Sequence, residues 1–327
     1  MGQLVNGKWQ HGEVGTASKD GTFQRAESVC RNWIKANGST QFLPEVGRYH
    51  LYVADACPWA HRTRLFRCLK NLEGAISLST VDPYMGQNGW WFSGDSDTDP
   101  DPLYGADYLH EIYTRSDATY TGRVTVPVLW DKQRECIVSN ESAEIIRMLN
   151  SEFVGTAGNS IDFYPKALQN EIEQLNTLIY ECVNNGVYRC GFARTQEAYD
   201  NAVAGVFECL DQLEGRLGNQ RFLCGNTLTE ADWRLFVTLV RFDAVYVNLF
   251  RTNLRRIADY PALSGYLRDL YQWEGVAETV HMPNVKAHYF KSLTSINPFG
   301  IIAKGPANLD LGAPHDRTRW TAEITYF

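Results

Sequence analysis

Although the chain carries eight cysteines, at positions 30, 57, 68, 136, 182, 190, 209 and 224, no two stand three residues apart, and no His-x-x-x-His occurs. Structural zinc sites ordinarily declare themselves by such pairs, so no metal is expected. Also missing is an uncharged apolar run of the ~20 residues a bilayer-spanning helix needs, so no membrane partner is expected. The opening MGQLVNGKWQHGE has neither the basic start nor the apolar centre of a secretory signal. Both absences point to a reducing, cytoplasmic setting, in which a disulfide framework is not expected. Positive charge is in deficit, 31 Lys and Arg against 38 Asp and Glu for a net charge of −7. A nucleic-acid binder needs a basic face, so no nucleic-acid partner is expected either.

What remains is an ordinary globular composition, 44% hydrophobic and 21% charged over 327 residues. That length exceeds what a single core of roughly 250–300 residues holds and favours two domains. Nine Trp, 17 Tyr and 15 Phe suit either a large aromatic core or a pocket for a flat ring. Residues 1–40 are polar and read as an extension draped over a domain. Tyr49 to Ala54 reads as a buried strand, Ala56-Cys57-Pro58 as a turn, and Ala60 to Leu69 as a helix that Pro58 is suited to open. Further strands are predicted at 76–81, 125–130 and 136–138, then a helix capped by Ser139 or Asn140 and running through Leu149. Residues 84–123 form a long irregular stretch with an acidic run from Asp95 to Pro102. With a helix disguised in that stretch, the order is that of a thioredoxin-like domain, spanning 41–155. Helices are predicted at 163–186, 195–217, 229–247 and 260–273, giving an all-helical domain over 160–282. Thr229 and Asp232 have capping-box spacing. Residues 283–327, with Pro283, Pro298, Pro306 and Pro314, are expected to run extended over the surface near the active site.

Chemistry concentrates at Cys57. At a strand-to-helix turn its sulfur meets unpaired N–H groups and the positive end of the helix dipole, and His61, Arg62 and Arg64 follow in the first two turns. Such surroundings favour thiolate and make a cysteine reactive near neutral pH, although most cysteines are inert and buried. Position 60 is Ala, so no internal disulfide can form across the turn and an external thiol must resolve any mixed disulfide. Val126-Pro127 interrupts a strand, as a cis proline opposite such a turn does, and leaves Val126 able to pair with a peptide backbone such as that of glutathione. An ordinary edge-strand proline is the alternative. Glu141 and Ser142 open a helix, where a carboxylate can hold an ammonium and the first N–H groups a carboxylate; plain capping accounts for them equally well in isolation.

Taken together these residues resemble the glutathione transferase superfamily and, within it, the xi class, the glutathionyl-hydroquinone reductases. The resemblance rests on Ala56-Cys57-Pro58-Trp59-Ala60-His61-Arg62, Asn88-Gly89-Trp90, Val126-Pro127 with Ser139-Asn140-Glu141-Ser142, Asn184 to Tyr188 with Gly191-Phe192-Ala193, and His288-Tyr289 with Ile296-Asn297-Pro298. It covers nearly all of the chain from about residue 40. It implies an α/β plus all-α fold, with an N-terminal thioredoxin-like domain followed by an all-helical glutathione-transferase C-terminal domain, and a homodimer. The implied reaction takes a glutathionyl-hydroquinone and glutathione to hydroquinone and glutathione disulfide, with glutathione as cosubstrate and no tightly bound cofactor. By position, Cys57 is implied as nucleophile, with Trp90 (beside Trp91), Arg123, Val126, Glu141 and Ser142 on glutathione and Tyr188 and Tyr289 on the phenol. Two other readings share part of this set: an omega-like thioltransferase or dehydroascorbate reductase, which needs neither tyrosine, and a non-catalytic binding protein on the transferase fold.

Overall fold

The computed structural model describes residues 2–12, 17–95, 98–307 and 309–327; Ser96 and Asp97 of the acidic run lie outside them. The chain falls into two compact units of non-sequential membership, one of Met1–Gly15, Ala26–Ser160 and Pro283–His288, the other of Thr16–Arg25, Ile161–Met282 and Tyr289–Phe327.

The first unit is built on a four-stranded sheet of order β4-β3-β6-β7. Its strands are β3 (Tyr49–Val53), β4 (Ile76–Thr80), β6 (Val128–Asp131) and β7 (Cys136–Ser139). Every residue of β3 is buried, which explains its unbroken apolar and aromatic sequence. It runs parallel to β4 through the helix α1 (Pro58–Leu69) and antiparallel to β6, with Leu51 opposite Leu129. The third sheet strand starts at Val128 rather than Thr125, because Pro127 offers no N–H to the ladder; the Val126-Pro127 bond is cis. The helix hidden in the long stretch is α2 (Leu109–Ser116). Asp101 organises the approach to it, accepting the Tyr52 hydroxyl at 2.9 Å and the N–H groups of Leu103, Tyr104 and Ala106, while Asp99 accepts the Thr80 N–H. These acids of the run are turn-formers. The helix α3 (Ser142–Ser151) then packs against α1.

The polar N-terminus holds regular structure that the sequence reading passes over. Strands β1 (Gly2–Val5) and β2 (Lys8–His11) form a hairpin, and β1 also pairs with β5 (Gly122–Arg123) in a second sheet of order β2-β1-β5. Asn6 and Gly7 make the turn with φ of 49° and 73°, the left-handed pair that a two-residue hairpin demands.

The second unit is helical: α4 (Gln169–Leu178), α5 (Gly186–Phe192), α6 (Gln196–Leu217), α7 (Glu230–Arg241), the single turn α8 (Val247–Leu249) and α9 (Pro261–Tyr271). The first helix starts at Gln169, after a 3-10 turn, and not at 163. It also continues past 186, because a π-turn at Ile179–Asn184 carries the chain into α5, and a second π-turn, Phe242–Tyr246, extends α7. The Thr229 capping box is present, and Asp232 also accepts the Leu223 N–H and the Tyr266 hydroxyl, each at 2.8 Å. The tail is not extended from its first residue: Met282–Ser292 forms α10. Pro283 stands at the start of that helix, where its missing N–H costs nothing, so it opens the element it was expected to preclude. Beyond α10 the described residues are irregular, with turns and a 3-10 turn at Arg317–Arg319, and Glu323 and Thr325 pair with Leu228 and Asp162.

Candidate active site

Cys57 is the N-cap of α1, half-buried, with Pro58 in the first turn. Its sulfur accepts the Ala60 N–H at 3.5 Å, so the residue that denies the turn a second thiol supplies an amide to the first. The thiol also lies 3.6 Å from the Val126 carbonyl, the residue before the cis proline. Negative charge on sulfur is favoured at this helix end. Of the flanking cations, Arg64 is paired with Asp55, and the Arg62 guanidinium lies 4.5 Å from the Trp59 ring centre. Other cysteines sit in the opposite environment. Burial pushes Cys30 up to about 11 and Cys190, Cys209 and Cys224 each up to about 12.

The residues read as glutathione ligands all belong to the first unit. Val126 is buried, and among the described residues nothing accepts its N–H. The cap of α3 is Glu141 itself, one residue after Asn140 and two after Ser139, the predicted caps: one carboxylate oxygen accepts the Ala143 N–H at 3.0 Å and the other the Ser28 hydroxyl at 3.0 Å. Ser142 is the first residue of α3, and Arg123 sits in β5. Trp90 is buried and stacks on His288, with ring centres 4.8 Å apart and an interplanar angle of 20°. Trp91 is committed differently, its indole donating to the Tyr84 carbonyl at 2.9 Å. Of the adjacent pair, Trp90 is therefore the one joined to the α10 residues.

Three supports in this unit went unread in the sequence. The Tyr113 hydroxyl donates to the Thr125 carbonyl at 2.8 Å and accepts from the Asn140 amide at 3.1 Å, tying the residue before Val126 to the residue before Glu141. His288 donates from Nδ1 to the Pro83 carbonyl at 2.9 Å, and burial lowers it to about 4, which keeps the ring neutral. Asn284, one helical turn earlier, donates to Asp55 at 2.9 Å, two residues before Cys57. Tyr113 and Asn284 lie on short or irregularly read segments whose periodicity marks them only as core.

In the second unit the two predicted tyrosines meet. The hydroxyls of Tyr188 and Tyr289 lie 2.6 Å apart, and the Tyr246 hydroxyl lies 3.0 Å from that of Tyr289. Burial pushes Tyr246 and Tyr289 well above the usual phenol range, so both stay protonated and able to donate. Tyr246, in an apolar helix, reads from sequence as core. Around the trio stand Phe250 and Phe192, with Phe23 stacked on Tyr188 and the Arg25 guanidinium 4.7 Å from the Tyr188 ring centre.

A thioredoxin-like unit whose capping cysteine lies against the residue preceding a cis proline, followed by a helical unit, defines a glutathione transferase. The models for "Glutathione S-transferase, N-terminal domain" and "Glutathione S-transferase, C-terminal domain" match residues 56–152 and 196–269. Glutathionyl-hydroquinone reductase YqjG of Escherichia coli is 53% identical, with 97% of this chain and 98% of that one aligned. Glutathionyl-hydroquinone reductase PcpF of Sphingobium chlorophenolicum is 51% identical over 94% of this chain and 97% of its own. The glutathione-bound structure of YqjG superposes with a TM-score of 0.90 over 98% of this chain and 100% of that chain at 50% identity. The xi class transferase of Natrialba magadii gives 0.92 over 99% and 98% at 46% identity. The chain belongs to the xi class of the glutathione transferase superfamily, and the two relatives named above are both called glutathionyl-hydroquinone reductase.

Proposed function

We propose that this protein reduces glutathionyl-hydroquinones to hydroquinones, using a second glutathione and releasing glutathione disulfide. The observation that carries the reading is the cap geometry: a sulfur at a helix N-terminus, bonded to the N–H of an alanine where a resolving cysteine would stand. Such a thiolate can take a glutathionyl group but cannot discharge it alone. The names of the relatives supply the substrate class.

The Cys57 thiolate attacks the sulfur of the conjugate. A Cys57–glutathione mixed disulfide forms, and the bond between sulfur and ring carbon breaks with its electron pair leaving on the ring. In the ketone tautomer that pair becomes an enolate, and a proton then restores the hydroquinone. A second glutathione thiolate attacks the mixed disulfide, releasing glutathione disulfide and the Cys57 thiolate. Tyr188 and Tyr289 donate to the ring oxygens and stabilise the developing enolate, and a tyrosine hydroxyl can also deliver the proton. The buried phenols of Tyr246 and Tyr289 remain donors throughout the physiological range.

The tripeptide is held by the Val126 backbone, strand-like, by the Glu141 carboxylate on the γ-glutamyl ammonium, and by Ser142 on the γ-glutamyl carboxylate at the start of α3. Trp90 and Arg123 complete that site. We assign the protein, in the same reading, a cytoplasmic homodimer without a tightly bound cofactor. Mass analysis of the products from a glutathionyl-hydroquinone and glutathione tests it. Hydroquinone with glutathione disulfide, both absent with Cys57→Ser, is the expected result; net conjugation or no turnover by the wild type removes the reading.

A further inference from the structure

The N-terminal hairpin reaches both flanks of the glutathione site. Strand β1 pairs with β5, placing Gln3 opposite Arg123. On β2, the Trp9 indole donates to the Gln87 carbonyl at 3.0 Å, and His11 Nδ1 meets the same oxygen at 3.0 Å. Gln87 begins the Gln87-Asn88-Gly89-Trp90 segment. The Trp9 ring also lies against that segment. A Cβ added at Gly89, whose φ is +80°, would stand 2.8 Å from the ring, closer than real Cβ contacts come. On its other side Trp9 stacks on His110 at 4.9 Å, and His110 stacks on Tyr108 at 5.2 Å. The ring is thus sandwiched between the first turn of α2 and the loop that carries Trp90. The turn is equally built in: the Gly7 N–H donates to the Tyr120 carbonyl at 3.0 Å, and a Cβ at Gly7 would come within 2.0 Å of the Ala118 carbonyl oxygen.

We propose that hairpin β1–β2 is a positioning element for glutathione, with Trp9 as its working residue. It holds the Trp90 loop by ring contact and hydrogen bond and the Arg123 strand by backbone pairing, without touching the tripeptide. The proposal rests on the reading that Trp90 and Arg123 contact glutathione. A loop of irregular backbone has several conformations of similar energy, and a fixed ring across Gly89 selects one of them, so the ordering is done before the ligand arrives.

The test compares full-length Cys57→Ser protein with the same protein carrying Trp9→Ala or Trp9→Phe. Glutathione binding is read by calorimetry, and amide hydrogen exchange by mass spectrometry. Trp9→Ala is expected to weaken glutathione about tenfold and to speed exchange over residues 86–92 and 122–124. Trp9→Phe keeps a ring over Gly89 while losing the N–H, and is expected to recover most of the affinity. In the background that retains Cys57, kcat at saturating glutathione should hold while KM rises, a split that general destabilisation does not produce. Equal affinity of Trp9→Ala and its parent, or unchanged exchange at 86–92, overturns the brace while leaving the glutathione reading intact. Failure of the parent to bind glutathione overturns both. If Trp9→Ala does not fold, Trp9→Leu, which fills the site without an aromatic ring, decides in its place: a loss of affinity with faster exchange at 86–92 supports the proposal, and wild-type values in both overturn it.

Discussion

The hydroxyl of Tyr289 meets two others, lying 2.6 Å from that of Tyr188 and 3.0 Å from that of Tyr246. A shared oxygen of this kind orients its neighbours' protons, so removing it disturbs more than one donor. Tyr289→Phe is expected to lower kcat by about 10²–10³, the cost of losing an oxyanion donor, with glutathione affinity unchanged. Steady-state kinetics on a glutathionyl-hydroquinone, varying each substrate, checks this. A variant as fast as wild type would remove the phenol role from Tyr289.

Cys57 should be the fast-reacting thiol of the folded protein. Its sulfur is at a helix end, whereas burial holds Cys30, Cys190, Cys209 and Cys224 well up from the thiol range. Iodoacetamide at pH 7, with peptide mapping over time, is expected to label Cys57 in the first phase and to abolish turnover in proportion. A fast phase that maps to another cysteine and spares activity would contradict this.

Tyr113→Phe deletes one oxygen and nothing else, yet that oxygen joins the Thr125 and Asn140 segments. Stability should fall by about 1–3 kcal/mol, because the Asn140 amide and Thr125 carbonyl lose a buried partner. The KM for glutathione should rise, with Cys57 alkylation as fast as before. Urea denaturation and kinetics on one preparation separate the two effects. An unchanged KM would make Tyr113 a stability residue only.

Acid should weaken the fold through two buried imidazoles. Burial lowers both His50 and His288 from an ordinary value of 6.5 to about 4. The unfolded chain therefore takes up protons below pH 6.5 that the folded chain refuses until about pH 4. The stability present above pH 6.5 is lost across that window, by about 1.4 kcal/mol per group for each pH unit at most. Asp232, which burial raises to about 6, works the other way below pH 6 and offsets part of the loss. Thermal unfolding from pH 7 to 4.5 should show the decline, and His288→Gln should flatten it. The same variant should weaken glutathione, since it removes the ring under Trp90. A slope identical in wild type and variant would count against His288 as a contributor.

Legibility followed the range of the forces involved. Cys57, Pro58 and the four sheet strands were readable because a strand, a turn and a helix cap are local events. The helix α6 was readable because 22 residues of regular period leave little choice. The π-turns broke that period, so α4 and α5 merged with their surroundings. Pro283 reads as part of an extended tail because its place within α10 depends on where Met282 starts the helix. Tyr246 and Tyr113 look like core from sequence and are core; only the placement of their hydroxyl partners shows more. The hairpin did leave a local sign, Asn6-Gly7 between alternating residues, but its significance lies in Gln87 and Arg123, which are distant in sequence.

Strand β1 begins at Gly2, and a Cβ at that position would stand 2.5 Å from the Trp9 ring. A fusion partner or affinity tag joined ahead of Gly2 therefore leaves the fold beside the ring that lies across Gly89. Glutathione constants measured on such a preparation report the attachment along with the enzyme. Recombinant work on this protein is best standardised on material whose appended residues have been cleaved from the amino end.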